Sequence, residues 1–148
     1  MVWGGVSARG KTDLWINYVK VKVNSLQYCK IIDDFARPFI EKKHLGDAII
    51  LHDRATSHTA YSTHENLSDL NFILFPAHSP NINPIMLMWA ILKRYASGKN
   101  PENKAEIINF SLEGWEKIEK SVILAAITKL QQELAPKILK KQGEFIIN

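Results

Sequence analysis

The chain has 148 residues, 46% hydrophobic and 23% charged, with a formal net charge of +4. That length suits one domain with its own core, the single cysteine (Cys29) excludes an internal disulfide, and no apolar run approaches the roughly 18 residues that span a bilayer. Met1 is not followed by a basic segment and an apolar stretch, so no secretory leader is expected, and the modest positive charge is compatible with nucleic acid without demanding it.

Met1 to Val6 is apolar and closes on Gly4-Gly5; Ser7 to Lys11 reads as a turn, and Thr12 to Val19 alternates, which predicts a hairpin. Val19 to Val23 alternates more cleanly, with Lys20 and Lys22 on one face, and either extends that strand or forms a short edge. Asn24-Ser25 supplies an N-cap. Tyr28, Ile31, Ile32, Phe35 and Phe39 then recur at helical spacing, predicting an amphipathic helix from about Leu26 to Lys43 that Pro38 kinks or shortens.

His44 to Asp47 closes that helix, and Ala48 to Leu51 is short and β-branched, as a buried strand would be. Asp53 follows; Thr56 to Leu70 reads as a polar helix and Asn71 to Phe75 as a second buried strand ended by Pro76. After a loop from Ala77, Asn83-Pro84 provides an N-cap and a first helical position, and Ile85, Met88, Trp89, Leu92 and Tyr95 mark one helical face as far as Gly98. Lys99 to Asn103 is a turn. Trp115, Ile118, Val122, Ala125, Ala126, Lys129 and Leu130 suggest a long C-terminal helix running toward Pro136, with a second short piece through Lys141. The order β-β-(β)-α-β-α-β-α-α is that of a mixed α/β layer fold within a single domain.

Two stretches carry the chemistry. Asp53 ends an apolar strand, where open α/β sheets present reactive groups, and its carboxylate is a hard ligand of the kind Mg²⁺ prefers. Taken alone, a helix-capping aspartate is the simpler explanation. The run His52-Asp53-Arg54-Ala55-Thr56-Ser57-His58-Thr59-Ala60 resembles the catalytic core of mariner-type transposases, a branch of the DDE superfamily, in which a histidine follows an aspartate by five positions. Ser79-Pro80-Asn81-Ile82-Asn83-Pro84-Ile85, with Trp89 beyond, resembles more specifically the block that precedes the third catalytic acid of that family.

The resemblance spans nearly the whole chain and implies a ribonuclease H-like mixed sheet flanked by helices. It assigns Asp53 as a catalytic, metal-binding acid and puts the slot of the third acid on Met86, 33 positions on (86 − 53), while Asn81 replaces an upstream aspartate. That spacing is slightly short for the family, which a small deletion around Asn66 to Asn71 would explain. Helical geometry agrees that Met86 is not core: at about 100° per residue it lies over Ala90, Lys93 and Ser97, away from the apolar stripe. The resemblance further implies that the first acid lies on a central strand ahead of Met1, so this chain is expected to lack that strand and the N-terminal helix-turn-helix region. Two strand edges are then left open to pairing, which gives homo-oligomers a route.

The family's strand cleavage and transfer uses two divalent ions held by three carboxylates. With Asp53 alone the charge available for even one Mg²⁺ is poor. The expectation is therefore a transposase-derived domain, ancestrally a Mg²⁺-dependent enzyme of DNA cleavage and strand transfer, inactive by itself, with residual nonspecific DNA binding in the nucleus. The alternatives are an active transposase or endonuclease once completed by preceding sequence, or a relic without molecular role. Lys93 and Arg94 on the outer side of the Met86 helix, and more weakly Lys20 and Lys22, are the expected phosphate contacts; ordinary surface charge explains them equally well.

Other patterns read as structural. His52, His58 and His64 recur every six residues, which does not match zinc-ligand spacing, and Asp33-Asp34 point about 100° apart on a helix. Cys29 reads as a small packing residue, and the C-terminal lysines are interspersed with glutamates.

Overall fold

A computed structural model describes residues 1–18, 22–74 and 83–134. The chain divides into two compact units, one made of residues 1–5 and 11–79, the other of 6–10 and 80–148.

In the first unit, β1 (Val2–Trp3) and β4 (Trp15–Ile16) form the predicted hairpin, antiparallel, with Val2 opposite Ile16 and Trp3 opposite Trp15. Two further short strands, β2 (Val6–Ser7) and β3 (Gly10–Lys11), pair with each other in a separate two-stranded sheet. Near the base, the Gly5 N–H donates to the Thr12 hydroxyl (2.8 Å) and the Thr12 N–H donates back to the Gly5 carbonyl (2.9 Å). No strand forms over Lys22 and Val23; the rest of that alternating segment, Lys20 included, lies outside the described residues.

The long amphipathic helix starts where the sequence places its cap. In α1 (Ser25–Ile31) the Asn24 side chain accepts from the Gln27 N–H and the Gln27 side chain accepts from the Asn24 N–H, a reciprocal capping box. A π-helical turn, Ile32–Ala36, leads into α2 (Arg37–His44). This is how the helix admits Pro38, which has no N–H to donate and would crowd the carbonyl of the preceding turn. The extra residue also changes which side chain faces inward: Ile40, not Phe39, is buried. Arg37 bridges the turn to the far side of the unit, donating from Nε to Asp33 (2.6 Å) and from its two terminal nitrogens to Asp69 (2.5 and 2.8 Å).

Strands β5 (Ile49–His52) and β6 (Asn71–Leu74) pair in parallel, with Ile49 opposite Asn71 and His52 opposite Leu74. Among the described residues this ladder is separate from β1–β4. Both lie on one core of Tyr28, Cys29, Ile32, Ala36, Ile40 and Leu67, against which Trp3, Ile50 and Phe72 pack. Fully burying each large apolar side chain here contributes roughly 1.5–3 kcal/mol. The expectation that both strands are wholly buried fails on one face: Ile50 and His52 turn inward, while Ile49, Leu51 and Ile73 are exposed. Strand side chains alternate, and the helices of this core cover only one side.

The single helix expected over Thr56 to Leu70 is two, α3 (Thr56–Thr59) and α4 (Tyr61–Asn66), separated by Ala60 in an extended conformation (φ −63°, ψ 140°). The sequence here is dense in Ser and Thr, whose hydroxyls offer the backbone other partners: Thr63 donates to the Ser57 carbonyl (2.6 Å).

The second unit contains α5 (Ile85–Gly98), α6 (Lys104–Glu116) and α7 (Lys120–Lys129), with a π-helical turn at Leu130–Leu134. Asn83 caps α5, its side chain accepting from the Ile85 N–H (3.2 Å), and Asn100 takes the left-handed conformation just beyond the helix (φ 49°). α6 is a correction, since Trp115 belongs to it and not to one long C-terminal helix. Its start was written in the sequence: Asn103 accepts from the Glu106 N–H (3.0 Å), while Glu106 reaches back to the Glu102 N–H (2.8 Å). Met88, Leu92, Ala96, Trp115, Ile118 and Ile123 are buried, and Trp89 stacks on Trp115 with centroids 5.4 Å apart. Among the described residues no helix is long and apolar enough to cross a membrane.

Candidate metal-binding and nucleic-acid site

β5 ends at His52 and delivers Asp53 to the sheet's carboxyl end, as the sequence predicts for a strand followed by a polar turn. The Asp53 side chain is 67% exposed. Its Oδ1 accepts from the Ala55 N–H (3.1 Å) and lies 2.7 Å from His58 Nδ1, so the run from Asp53 into α3 is a turn closed by its own aspartate. The hydrogen bond of His58 Nδ1 is with the Asp53 backbone carbonyl oxygen (3.3 Å). Among the described residues nothing hydrogen-bonds to Oδ2.

Behind the carboxylate sits a cluster of rings. Tyr28 of α1 packs on His58 with centroids 4.0 Å apart, and His58 stacks on His52 at 5.1 Å and 14°. The Tyr28 hydroxyl and His52 Nδ1 share a hydrogen bond of 3.1 Å, and Phe72 lies 4.9 Å from the His52 ring. His52 Nε2 is buried and meets no hydrogen-bond partner among the described residues. Burial, followed by the neighbouring His58, drives the His52 pKa down to about 4 against an opposing pull from Asp53, with His64 adding least. Burial, then the Asp53 charge, raises the Tyr28 hydroxyl well above its usual value, so it stays a neutral donor or acceptor.

Of the residues singled out in the sequence, the structure brings Asp53 and His58 into direct contact and joins His52 to them. His64 is not part of this contact; it lines a cavity of about 410 Å³ with Leu67, Ser68, Leu70 and Phe72. Among the described residues no three His, Cys, Asp or Glu side chains converge as a metal site. Asp33 pairs with Arg37 on the surface, and Cys29 is a core residue. Tyr28 is the member of the ring cluster that sequence reasoning assigned only to packing; its hydroxyl, on an otherwise apolar stripe, was the available signal.

Met86 sits in the first turn of α5, 46% exposed, while Met88 two positions on is fully buried. The predicted orientation of this helix holds, with Ala90, Lys93 and Ser97 also exposed. α5 carries no acidic residue, so Lys93 and Arg94 project from a helix without a carboxylate of its own. Lys22 is exposed ahead of α1. Lys117 is engaged elsewhere, bonded to Glu113 (2.8 Å) and to the Tyr95 hydroxyl (2.8 Å).

The donor chemistry at Asp53 is poor for even one divalent ion: a single carboxylate, largely exposed, with no second ligand beside it among the described residues. A pair of ions needs further carboxylates still.

The mixed α/β architecture, with a parallel strand pair, is ribonuclease H-like, the fold of the solved structures it resembles. The catalytic domain of the Mos1 mariner transposase superposes with a TM-score of 0.80 at 19% identity, covering 99% of this chain and 75% of that one. A Mos1 mariner paired end complex with Mn gives a TM-score of 0.76 at 20% identity, over 99% of this chain and 44% of the other. The family model described as DDE superfamily endonuclease matches residues 2–108, and the chain belongs to that family. It is 29% identical over 150 residues to the Tc3 transposase of Caenorhabditis elegans, covering 99% of this chain and 45% of that protein, so it spans less than half the length of that relative.

Proposed function

We propose that this chain is a transposase-derived DDE domain that binds DNA without sequence preference and does not cut it by itself. The observation that supports this reading is Met86, a solvent-exposed methionine in the first turn of α5, which is where the resemblance puts the family's third acid. Asp53 is then the one acid of the triad identified among these residues, and a single carboxylate holds a divalent ion weakly, through one or two oxygens and mostly water. The presence of Mn in a structurally similar Mos1 paired end complex supports a divalent ion as the group this scaffold accommodates.

Lys93 and Arg94, on a helix without acids, supply phosphate contacts that do not read bases, with Lys22 and Lys20 as further contributors. A nuclear location accords with that role. The test is a cleavage assay on transposon-end DNA with Mg²⁺ or Mn²⁺. No cutting is expected; cutting that Asp53→Ala abolishes would instead favour an active endonuclease completed from outside this chain.

A further inference from the structure

We infer that the starts of α1 and α4 together form a contact site for single-stranded nucleic acid, in which Tyr61 stacks on an unpaired base while Lys22 and Lys30 hold the phosphates beside it. The inference rests on the reading of this chain as a DNA-binding domain, and it adds a set of residues that favours unpaired strands.

Three observations carry it. Tyr61 is 81% exposed and Leu26 is 64% exposed, each in the first turn of its helix. Neither can turn inward, because Tyr28 and Cys29 fill the inner side of α1, and Thr63 and Leu67 fill that of α4. Second, the two helix starts are joined: the Ser62 hydroxyl donates to the Ser25 hydroxyl (2.8 Å), and Tyr61 and Leu26 are the chain neighbours of that bonded pair. Two large apolar side chains exposed at one junction differ from the scattered single ones that any surface carries. Third, the junction is basic on its α1 side. Lys22 and Lys30, both exposed, stand four residues to either side of Leu26, and Lys30 shares its helical face. Asp34 and Glu65, exposed a turn beyond Lys30 and Tyr61, bound the patch on the two helices.

This junction lies at the carboxyl end of β5, since Tyr28, one turn into α1, packs on His58 at 4.0 Å and shares a hydrogen bond of 3.1 Å with His52, the residue before Asp53. An exposed ring offers its face to any base, provided that base is out of a duplex stack, and a lysine ammonium binds phosphate whatever the sequence. Tyr61 with Lys22 and Lys30 therefore selects for strandedness and not for sequence.

The experiment titrates the intact chain, Tyr61→Ala, Tyr61→Phe and the double variant Lys22→Ala with Lys30→Ala into a short DNA single strand and into the matching duplex, reading affinity by fluorescence anisotropy. A 2-aminopurine base in the single strand reports stacking by the quenching of its emission. Tyr61→Ala is expected to weaken single-strand binding on the order of 10–100-fold and to lose the quenching, Tyr61→Phe to keep both, and duplex affinity to be the same in all three. The double lysine variant is expected to make the slope of log single-strand affinity against log salt shallower by about 1.4, at about 0.7 for each phosphate contact. If Tyr61→Ala binds and quenches the single strand as the parent does, or the salt slope of the lysine variant is unchanged, this site is overturned. If the parent binds duplex but no single strand, the site is likewise overturned and the DNA-binding reading stands. A parent that binds neither form of DNA overturns both.

Discussion

Gly114 of α6 faces the Tyr95 ring of α5 so closely that a methyl group on its Cα would come within 2.7 Å of Tyr95 Cδ1 and 3.2 Å of the Leu92 Cδ1 methyl. Neither neighbour has room to retreat easily, because Leu92 is buried and the Tyr95 hydroxyl is held by Lys117. Gly114→Ala would gain helix propensity, worth about 1 kcal/mol in an open site, but here the overpacking opposes it and costs about 1–3 kcal/mol. A net loss of stability in urea unfolding is expected, and a stabilised variant would show that the two helices separate readily.

The His52 imidazole makes stability depend on acid. Its pKa falls from 6.5 in the unfolded chain to about 4 in the fold, so the unfolded state takes up the proton first. The stabilisation is complete above about pH 6.5 and is lost as pH drops through the window toward 4, amounting to about 2 kcal/mol between pH 7.5 and 5. Asp53, His58 and His64 are the charged or titratable groups acting on it. Unfolding free energies measured at both pH values should differ accordingly, and His52→Leu should flatten that difference.

Met86→Glu should stabilise the protein. The residue is substantially exposed, the change adds negative charge to the first turn of α5, and it supplies the missing partner of Asn83 in a capping box. A gain of about 0.3–1 kcal/mol is expected from the thermal midpoint. A loss exceeding that amount would mean that the methionine is used in packing.

Replacing Lys93 and Arg94 together by alanine should weaken DNA binding equally for unrelated sequences. The slope of log affinity against log salt should become shallower by about 2, one for each phosphate contact removed. An unchanged slope would locate the contacts elsewhere, with Lys22 the next residue to change.

How far the sequence reached depended on whether a signal was local. Capped helix starts at Asn24 and Asn83, the hairpin of Val2 and Ile16, and the placement of Asp53 after an apolar strand all follow from side chains acting on their own backbone. The start of α6 is equally local, since Asn103 and Glu106 form a reciprocal cap, but the apolar residues Trp115 and Ile118 continue one stripe across the break that follows and mask it. Exposure of Ile49, Leu51 and Ile73 could not be read in advance, because an apolar strand does not declare how many helix layers will cover it. The site divided in the same way. The motif located Asp53 and His58, but the Tyr28 ring that braces them comes from 30 residues earlier (58 − 28), a distance no spacing pattern encodes.

The π-helical turn at Ile32–Ala36 sets the phase of everything that follows it in the helix. Tyr28, Ile32, Ala36 and Ile40 are all buried at intervals of four, and in a regular α-helix each such interval drifts by about 40°, so that Ile40 would end about 120° away from Tyr28. One additional residue in the turn takes back about 100° of that rotation and returns Ile40 to the side of the core. The extra residue is therefore the one the segment can lose: a one-residue deletion there would put Ile40 eleven positions after Tyr28, about 20° from it on a regular α-helix, so that Ile40 and Arg37 with its grip on Asp69 keep their direction. What such a deletion gives up is the wider turn that admits Pro38, while exposed positions such as Asp34 tolerate substitution.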